Sequence, residues 1–154
     1  MGIKSKYLAL AAARAASDKK ALDIVTIDIR KMPSVADYFV VTSGTSTTHT
    51  RAISDSILKK LEEKGEKAWH VEGERDGLWI LIDYGDVVAH VFTEDKRRFY
   101  NLEKLWAVAP KTHFKDIIKK KRPAARKKAK AKGKSKNKAR SRIKPKTRKK
   151  KKRS

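Results

Sequence analysis

The stretch "GLWILIDYGDVVAHVFT", residues 77–93, decides how this chain folds, because it predicts two strands joined by one tight turn. Apolar and β-branched residues fill both halves, and Tyr84-Gly85 stands between them, which is typical of an antiparallel hairpin. Side chains along a strand alternate between its two faces. Ile80 and Ile82 are therefore expected on one face of the sheet and Trp79 on the other.

Periodic patterns on both sides of this hairpin predict the remaining elements. The continuous apolar run "DYFVVTSG" favours an interior strand that is covered on both faces. We expect helices over residues 5–17, 45–65 and 94–106, and strands over residues 22–30, 37–44 and 67–73. The chain is thus predicted to be an α/β protein: a single compact domain with a mixed sheet of about five strands flanked by helices.

Local signals support the two later helices. Ser46 and Thr47 suit an N-cap, and Gly65 stands where a left-handed C-terminal residue belongs. Residues 94–106 open with two acids, which favours a helix start. This last helix is expected to direct four large side chains inward: Phe99, Leu102, Leu105 and Trp106.

Charge divides the chain into two parts. Of its 41 basic residues, 22 lie from Lys119 onward with no acid among them, so residues 1–118 hold 19 basic and 17 acidic residues. Ile143 is the one large apolar residue after Lys119. Such a composition buries too little apolar surface to offset the entropy of ordering. We therefore predict a domain over residues 1–118 and a disordered basic tail over residues 119–154.

The carboxylates and the histidine of the hairpin leave two interpretations open. Asp83, Asp86 and His90 have the chemistry of metal ligands or of an acid–base pair. Aspartates beside a turn also accept hydrogen bonds from the backbone, and a strand histidine is often only half-buried. The other histidines show no ligand-like spacing, which favours the structural interpretation. We predict no catalytic, metal-binding or cofactor-binding residue.

Other features narrow the function classes further. The loop "SGTST", residues 43–47, lacks both the lysine of a phosphate-binding loop and a three-glycine dinucleotide fingerprint. The chain has no cysteine, hence no disulfide and no thiolate chemistry, which is compatible with the reducing cytoplasm where we expect it. No apolar run approaches about 18 residues, so no membrane partner is expected. An enzyme or a small-molecule substrate is likewise not expected.

Four segments carry a resemblance to a known family. They are "ADYFVVTSGTST" (36–47), "RAISDSI" (51–57), "WILIDYGDVVAHVF" (79–92) and "RRFYNLEKLW" (97–106). In order and spacing they resemble the ribosomal silencing factor, or Iojap, family across roughly residues 5–110. The resemblance implies a fold similar to nucleotidyltransferases that lacks their catalytic acids. It says nothing about the basic tail.

The resemblance also implies a function and a set of contact residues. Members of the family bind a large-subunit ribosomal protein, the fourteenth of its series, and so block joining of the ribosomal subunits. The family's contact positions fall on Trp79 and Tyr100, and the matching motif positions His90, Arg97 and Arg98 are assigned to the same surface.

The basic tail predicts contacts with ribosomal RNA through phosphates rather than bases, since it has no aromatic residue for stacking. A tail that serves only solubility is the simpler alternative. Two other functions remain open: a nucleotide-handling enzyme of transferase-like fold, and a general RNA-binding protein acting through its tail. The predicted RNA contacts are Lys119, Lys120, Lys121, Arg122, Arg126, Lys127, Lys128, Arg148, Lys149, Lys150, Lys151, Lys152 and Arg153.

Overall fold

A mixed six-stranded sheet organises the part of the chain that the structure describes. The computed structural model describes the backbone of residues 2–121 and the side chains of residues 4–118. In chain order the elements are α1 (Gly2–Ser17), β1 (Leu22–Asp28), β2 (Tyr38–Gly44), α2 (Thr47–Glu63), β3 (His70–Glu72), β4 (Trp79–Asp83), β5 (Val87–Thr93), α3 (Glu94–Tyr100), α4 (Leu102–Leu105), β6 (Lys111–His113) and α5 (Phe114–Lys121).

The strand order across the sheet is β3-β4-β5-β2-β1-β6. Strands β2 and β5 pair in parallel at the centre, and the neighbouring pairs are antiparallel. The predicted α/β class, mixed sheet and hairpin are confirmed. The sheet has one strand more than the five expected. The additional strand, β6, was not predicted because it is three residues long and its sequence, Lys111–His113, carries no apolar alternation.

The two faces of the sheet bury two separate apolar clusters. On one face, α1 and α2 pack against inward-pointing strand residues such as Val40, Ile80 and Ile82, all 0 % exposed. Helix α1 presents small alanine side chains to this core, which lets it lie close to its neighbours. On the opposite face a second cluster gathers around Val41 and Phe92. This face is only partly covered, and it positions the site described below.

The predicted caps of the second helix are confirmed. Ser46 is the N-cap of α2, and its side-chain oxygen accepts a hydrogen bond from the His49 amide. Gly65 follows the helix with φ +88°, the left-handed conformation that glycine adopts without strain.

The predicted helix over residues 94–106 is broken in two. Asn101 has φ +44°, so it ends α3 in the left-handed conformation, and α4 starts at the next residue. The break changes which side chains face the core. Leu102 and Trp106 pack against the second cluster, as expected. The expectation for Phe99 and Leu105 was wrong: their side chains are 75 % and 72 % exposed.

The loop over residues 73–78 lies close to the backbone of β4 at Gly73, where a larger residue would not fit. A Cβ atom at Gly73 would lie 1.9 Å from the main-chain oxygen of Trp79, whereas one at Gly65 would meet nothing within 4 Å. Both glycines have φ near +90°, so alanine is strained at either position. We expect Gly65→Ala to lower the free energy of unfolding by about 1 kcal/mol and Gly73→Ala by roughly 3 kcal/mol.

Urea unfolding of the two variants beside the parent chain measures this difference. Because the matched variants share the backbone strain, their difference isolates the collision with the Trp79 carbonyl. Equal losses of stability would show that the loop moves away from β4 at little cost.

Candidate functional site: an aromatic surface on the open sheet face

A connected group of aromatic rings lies on the side of the sheet turned away from α1 and α2. Its partly exposed members are Phe39, Trp79, Phe99, Tyr100 and Trp106, which we call the aromatic surface. Ring centroids are 4.5 Å apart between Trp79 and Tyr100, 5.0 Å between Phe99 and Tyr100, and 5.6 Å between Phe39 and Trp106. Buried rings of β5 lie beneath and join these contacts into one group.

Trp79 lies at the centre of this surface because of strand alternation. Its neighbour Ile80 points into the helical core, so the indole points to the open face and is only half-buried. The ring stacks on Phe92, which stands directly opposite in the β4–β5 register, at a centroid distance of 5.0 Å. A large aromatic side chain held on a rigid strand and open on its outer side is a typical anchor of protein interfaces.

His90 lies beneath Trp79 and supports it. The imidazole is 5 % exposed, and its Nδ1 accepts a hydrogen bond from the Trp79 indole Nε1 at 3.2 Å. Its Nε2 is buried and has no hydrogen-bond partner among the described residues. Burial lowers the pKa of His90 to about 4, because the apolar surroundings disfavour the charged imidazolium. His90 is therefore neutral at physiological pH.

Arg97 and Arg98 occupy different environments although they are adjacent. The Arg97 side chain is 12 % exposed; it forms an ion pair with Glu103 at 2.8 Å and also donates to the Leu22 carbonyl and the Ser43 hydroxyl. It thus ties α3 to the ends of β1 and β2. Arg98 is 73 % exposed and pairs with Asp95 at the surface.

The five predicted contact residues are therefore brought together only in part. Trp79, His90 and Tyr100 form one cluster of touching rings, whereas Arg97 braces the helix that carries Tyr100. The predicted tail contacts lie outside the described side chains, which end at residue 118. The boundary placed between residues 118 and 119 stays a prediction for the same reason.

The alternative of a metal or acid–base site finds no geometric support. Asp83 accepts a hydrogen bond from the Gly85 amide at 2.7 Å, the turn-stabilising role that the structural interpretation assigned to it. Asp86 contributes its main-chain carbonyl, which accepts from the amides of residues 37 and 38. Among the side chains of residues 4–118, no three His, Asp or Glu residues converge as a group that could hold a metal ion.

The loop over residues 43–47 uses its polar groups within the domain. The Thr45 amide donates to Nδ1 of His49 at 2.9 Å, and Nε2 of that histidine is 2.7 Å from the Lys19 carbonyl. The Thr50 hydroxyl is hydrogen-bonded to the Gly77 carbonyl. These contacts connect the start of α2 to two neighbouring loops, as expected for capping.

Sequence reasoning missed Phe39 and the exposure of Phe99. Phe39 joins the aromatic surface because β2 pairs with β5 in parallel and places Phe39 beside Val88, two residue pairs before Val41 and His90. No short-range pattern encodes that register. Phe99 had a usable signal: it stands next to Tyr100 on one helix turn, so both rings could not face the core.

No helix within residues 2–121 combines the length and apolarity needed to cross a bilayer. The fold and the site together define a small α/β domain with a rigid, partly exposed aromatic surface.

Residues 3–141 match the family model described as "Ribosomal silencing factor during starvation". The chain is 42 % identical over 108 residues to ribosomal silencing factor RsfS of Bacillus subtilis, covering 70 % of this chain and 92 % of that protein. It is 33 % identical over 93 residues to the mouse protein named mitochondrial assembly of ribosomal large subunit protein 1, covering 58 % and 41 %. A crystal structure of a Chromobacterium violaceum protein aligns with a TM-score of 0.65 at 34 % identity, covering 66 % and 85 %.

The chain therefore belongs to the ribosomal silencing factor family. The match confirms the resemblance found in the sequence and extends it from about residue 110 to residue 141. Its relatives carry the name of a regulatory factor rather than of an enzyme.

The buried state of His90 predicts how stability depends on pH. The folded imidazole has a pKa of about 4 against an ordinary value of 6.5, so between these values the unfolded chain binds a proton that the folded chain does not. The stability that depends on a neutral His90 is complete above pH 6.5 and is lost as the pH falls toward 4. We expect the free energy of unfolding to fall by roughly 3 kcal/mol between pH 6.5 and pH 4 for this reason.

Urea unfolding between pH 7 and pH 4, compared with the His90→Leu variant, isolates this contribution. The variant should lose less stability than the parent chain over that interval. Parallel pH profiles would mean that the pKa of His90 is the same in the folded and the unfolded chain.

Proposed function

We propose that this chain docks through the aromatic surface onto one protein of the large ribosomal subunit and thereby blocks joining of the small subunit. The ribosomal partner is the fourteenth protein of the large-subunit series, as the family resemblance implies. The block takes place in the cytoplasm. The observation that best supports this proposal is the contact between Trp79 and Tyr100, two partly exposed rings whose centroids are 4.5 Å apart on the open face of the sheet. The name of the mouse relative, which refers to the large subunit, supports the choice of subunit.

The mechanism of this block is steric. Because β4 and α3 hold Trp79 and Tyr100 against each other before binding, little ordering entropy is lost when the partner docks. The bulk of the α/β domain then occupies space that the small subunit needs. This mechanism requires no turnover, so it fits a site made of aromatic rings and braced by structural hydrogen bonds.

Trp79→Ala tests the docking surface, with Trp69→Ala as its matched control. Trp69 is also a tryptophan and is 76 % exposed, but it lies against Gly85 on the hairpin turn, apart from the aromatic surface. We expect Trp79→Ala to weaken binding to purified large subunits roughly thirtyfold, as for an interface anchor, and Trp69→Ala to bind like the parent chain.

Sucrose-gradient separation of mixed subunits measures the functional consequence. The parent chain and Trp69→Ala should reduce the fraction of joined ribosomes, and Trp79→Ala should not do so at the same concentration. Equal activity of both variants would show that Trp79 of the hairpin is not part of the interface. Thermal unfolding of each variant confirms that the domain is still folded.

The basic tail is proposed to add contacts with ribosomal RNA. Its 22 basic residues, with no acid among them, would release counterions on binding phosphates, so affinity should fall steeply with salt. Deleting residues 119–154 should lower affinity at low salt and flatten the plot of log affinity against log salt concentration. An unchanged slope would show that the tail makes no phosphate contacts.

The same deletion separates docking from general RNA binding. The shortened chain should keep the salt-insensitive part of its affinity and should still lose it on Trp79→Ala. Complete loss of binding in the shortened chain at every salt concentration would favour an RNA-binding protein that acts through its tail.

A further inference from the structure

The hydrogen bond between Trp79 and His90 fixes the tautomer of the histidine. The indole Nε1 is always a donor, so Nδ1 of His90, 3.2 Å away, must act as the acceptor. The single proton of the neutral imidazole is then on Nε2. Because burial lowers the pKa of His90 to about 4, the imidazole is neutral at pH 7 and its Nδ1 is free to accept this hydrogen bond.

That arrangement costs the folded domain stability. Within the part of the chain that the structure describes, the buried Nε2–H donor of His90 has no hydrogen-bond partner, which is unfavourable in a protein interior. The rings of Phe39 and the imidazole are T-shaped with centroids 4.8 Å apart, and the ring of Phe92 is nearly parallel to the imidazole at 6.2 Å, so the surroundings are apolar. An aliphatic side chain would fit these surroundings without an unsatisfied donor. The histidine at this position is therefore poorly explained by stability alone.

Among the described residues, the one hydrogen bond of the His90 side chain is with Trp79, the central ring of the aromatic surface. The indole of Trp79 rests on Phe92 and Tyr100, and both of these contacts are made through ring surfaces rather than through a hydrogen bond. Rotation about χ2 changes the direction in which the indole N–H points, and a hydrogen bond to that single N–H selects one of these orientations. No other hydrogen bond of the Trp79 side chain is seen among the described residues.

We propose that His90 is a positioning residue, whose Nδ1 holds the Trp79 indole in the orientation that the ribosomal partner recognises. This proposal rests on the function proposed above and explains why a buried residue belongs to the binding site. His90 itself does not need to touch the partner. It acts by reducing the number of orientations that Trp79 must lose on binding.

Two substitutions at His90 separate this role from simple packing. His90→Leu removes the acceptor and also removes the unsatisfied donor, whereas His90→Asn keeps an acceptor oxygen near the position of Nδ1. We expect His90→Leu to keep or raise the unfolding midpoint in urea at pH 7 and yet to weaken binding to purified large subunits about tenfold. His90→Asn should recover most of that affinity although its fold is less stable.

A double-mutant cycle with Trp79→Phe tests whether the effect passes through the indole N–H. Phenylalanine keeps an aromatic ring but has no N–H, so His90→Leu should cause no further loss of affinity in the Trp79→Phe background. An equal loss in both backgrounds would overturn the positioning role. Unchanged binding by His90→Leu in the parent background would overturn it as well.

A measurement on the free, full-length chain keeps this inference separate from the proposed function. The indole N–H resonance of Trp79 in a ¹⁵N-correlated NMR spectrum is assigned by its absence in Trp79→Phe. It should shift and exchange faster in His90→Leu and stay close to its original position in His90→Asn. An unmoved resonance in His90→Leu overturns the positioning role. A moved resonance in a chain that fails to bind large subunits supports the positioning role and contradicts the proposed function.

Discussion

The parallel pairing of β2 with β5 is the contact on which the rest of the domain depends. Seven consecutive residue pairs, from Tyr38 with Val87 to Gly44 with Thr93, fix the two strands at the centre of the sheet. Parallel neighbours need a long crossover, which α2, β3 and β4 supply between them. The same register sets Phe39 and His90 on one face, and the antiparallel β4 then brings Trp79 over them. The sheet and the aromatic surface therefore have a common origin.

Much of this architecture was predictable because it depends on local periodicity. The alternation of Ile80 and Ile82 with Trp79, the apolar run of β2 and the capping signals of α2 each act over a few residues, and each prediction is confirmed. What the sequence could not provide depends on contacts between distant segments. Phe39 enters the site through a strand register, and β6 exists because it pairs with β1 rather than because of its own composition.

The break at Asn101 shows a different limit of sequence reasoning. Asn101 ends one helix and a new one starts after it, so a single helical pattern written across residues 94–106 does not describe which side chains are buried, and Phe99 and Leu105 are exposed. Arg97 illustrates the same point for function. Its sequence neighbours suggest a contact surface, yet its guanidinium binds Glu103 and two groups at the ends of β1 and β2. It contributes to the site by holding α3, and with it Tyr100, in place.

The hairpin turn between Asp83 and Val87 has a consequence for how this chain tolerates changes in length. Asp83 binds the Gly85 amide, and Gly85 has φ +90°, so the turn is closed by two specific local features. Because strand side chains alternate with a period of two, adding or removing one residue here exchanges the faces of β4 relative to β5. The tryptophan would then enter the helical core while isoleucines faced solvent. A one-residue insertion or deletion at this turn would thus exchange the buried and exposed faces of β4 in one step, which no single substitution at the surface can do.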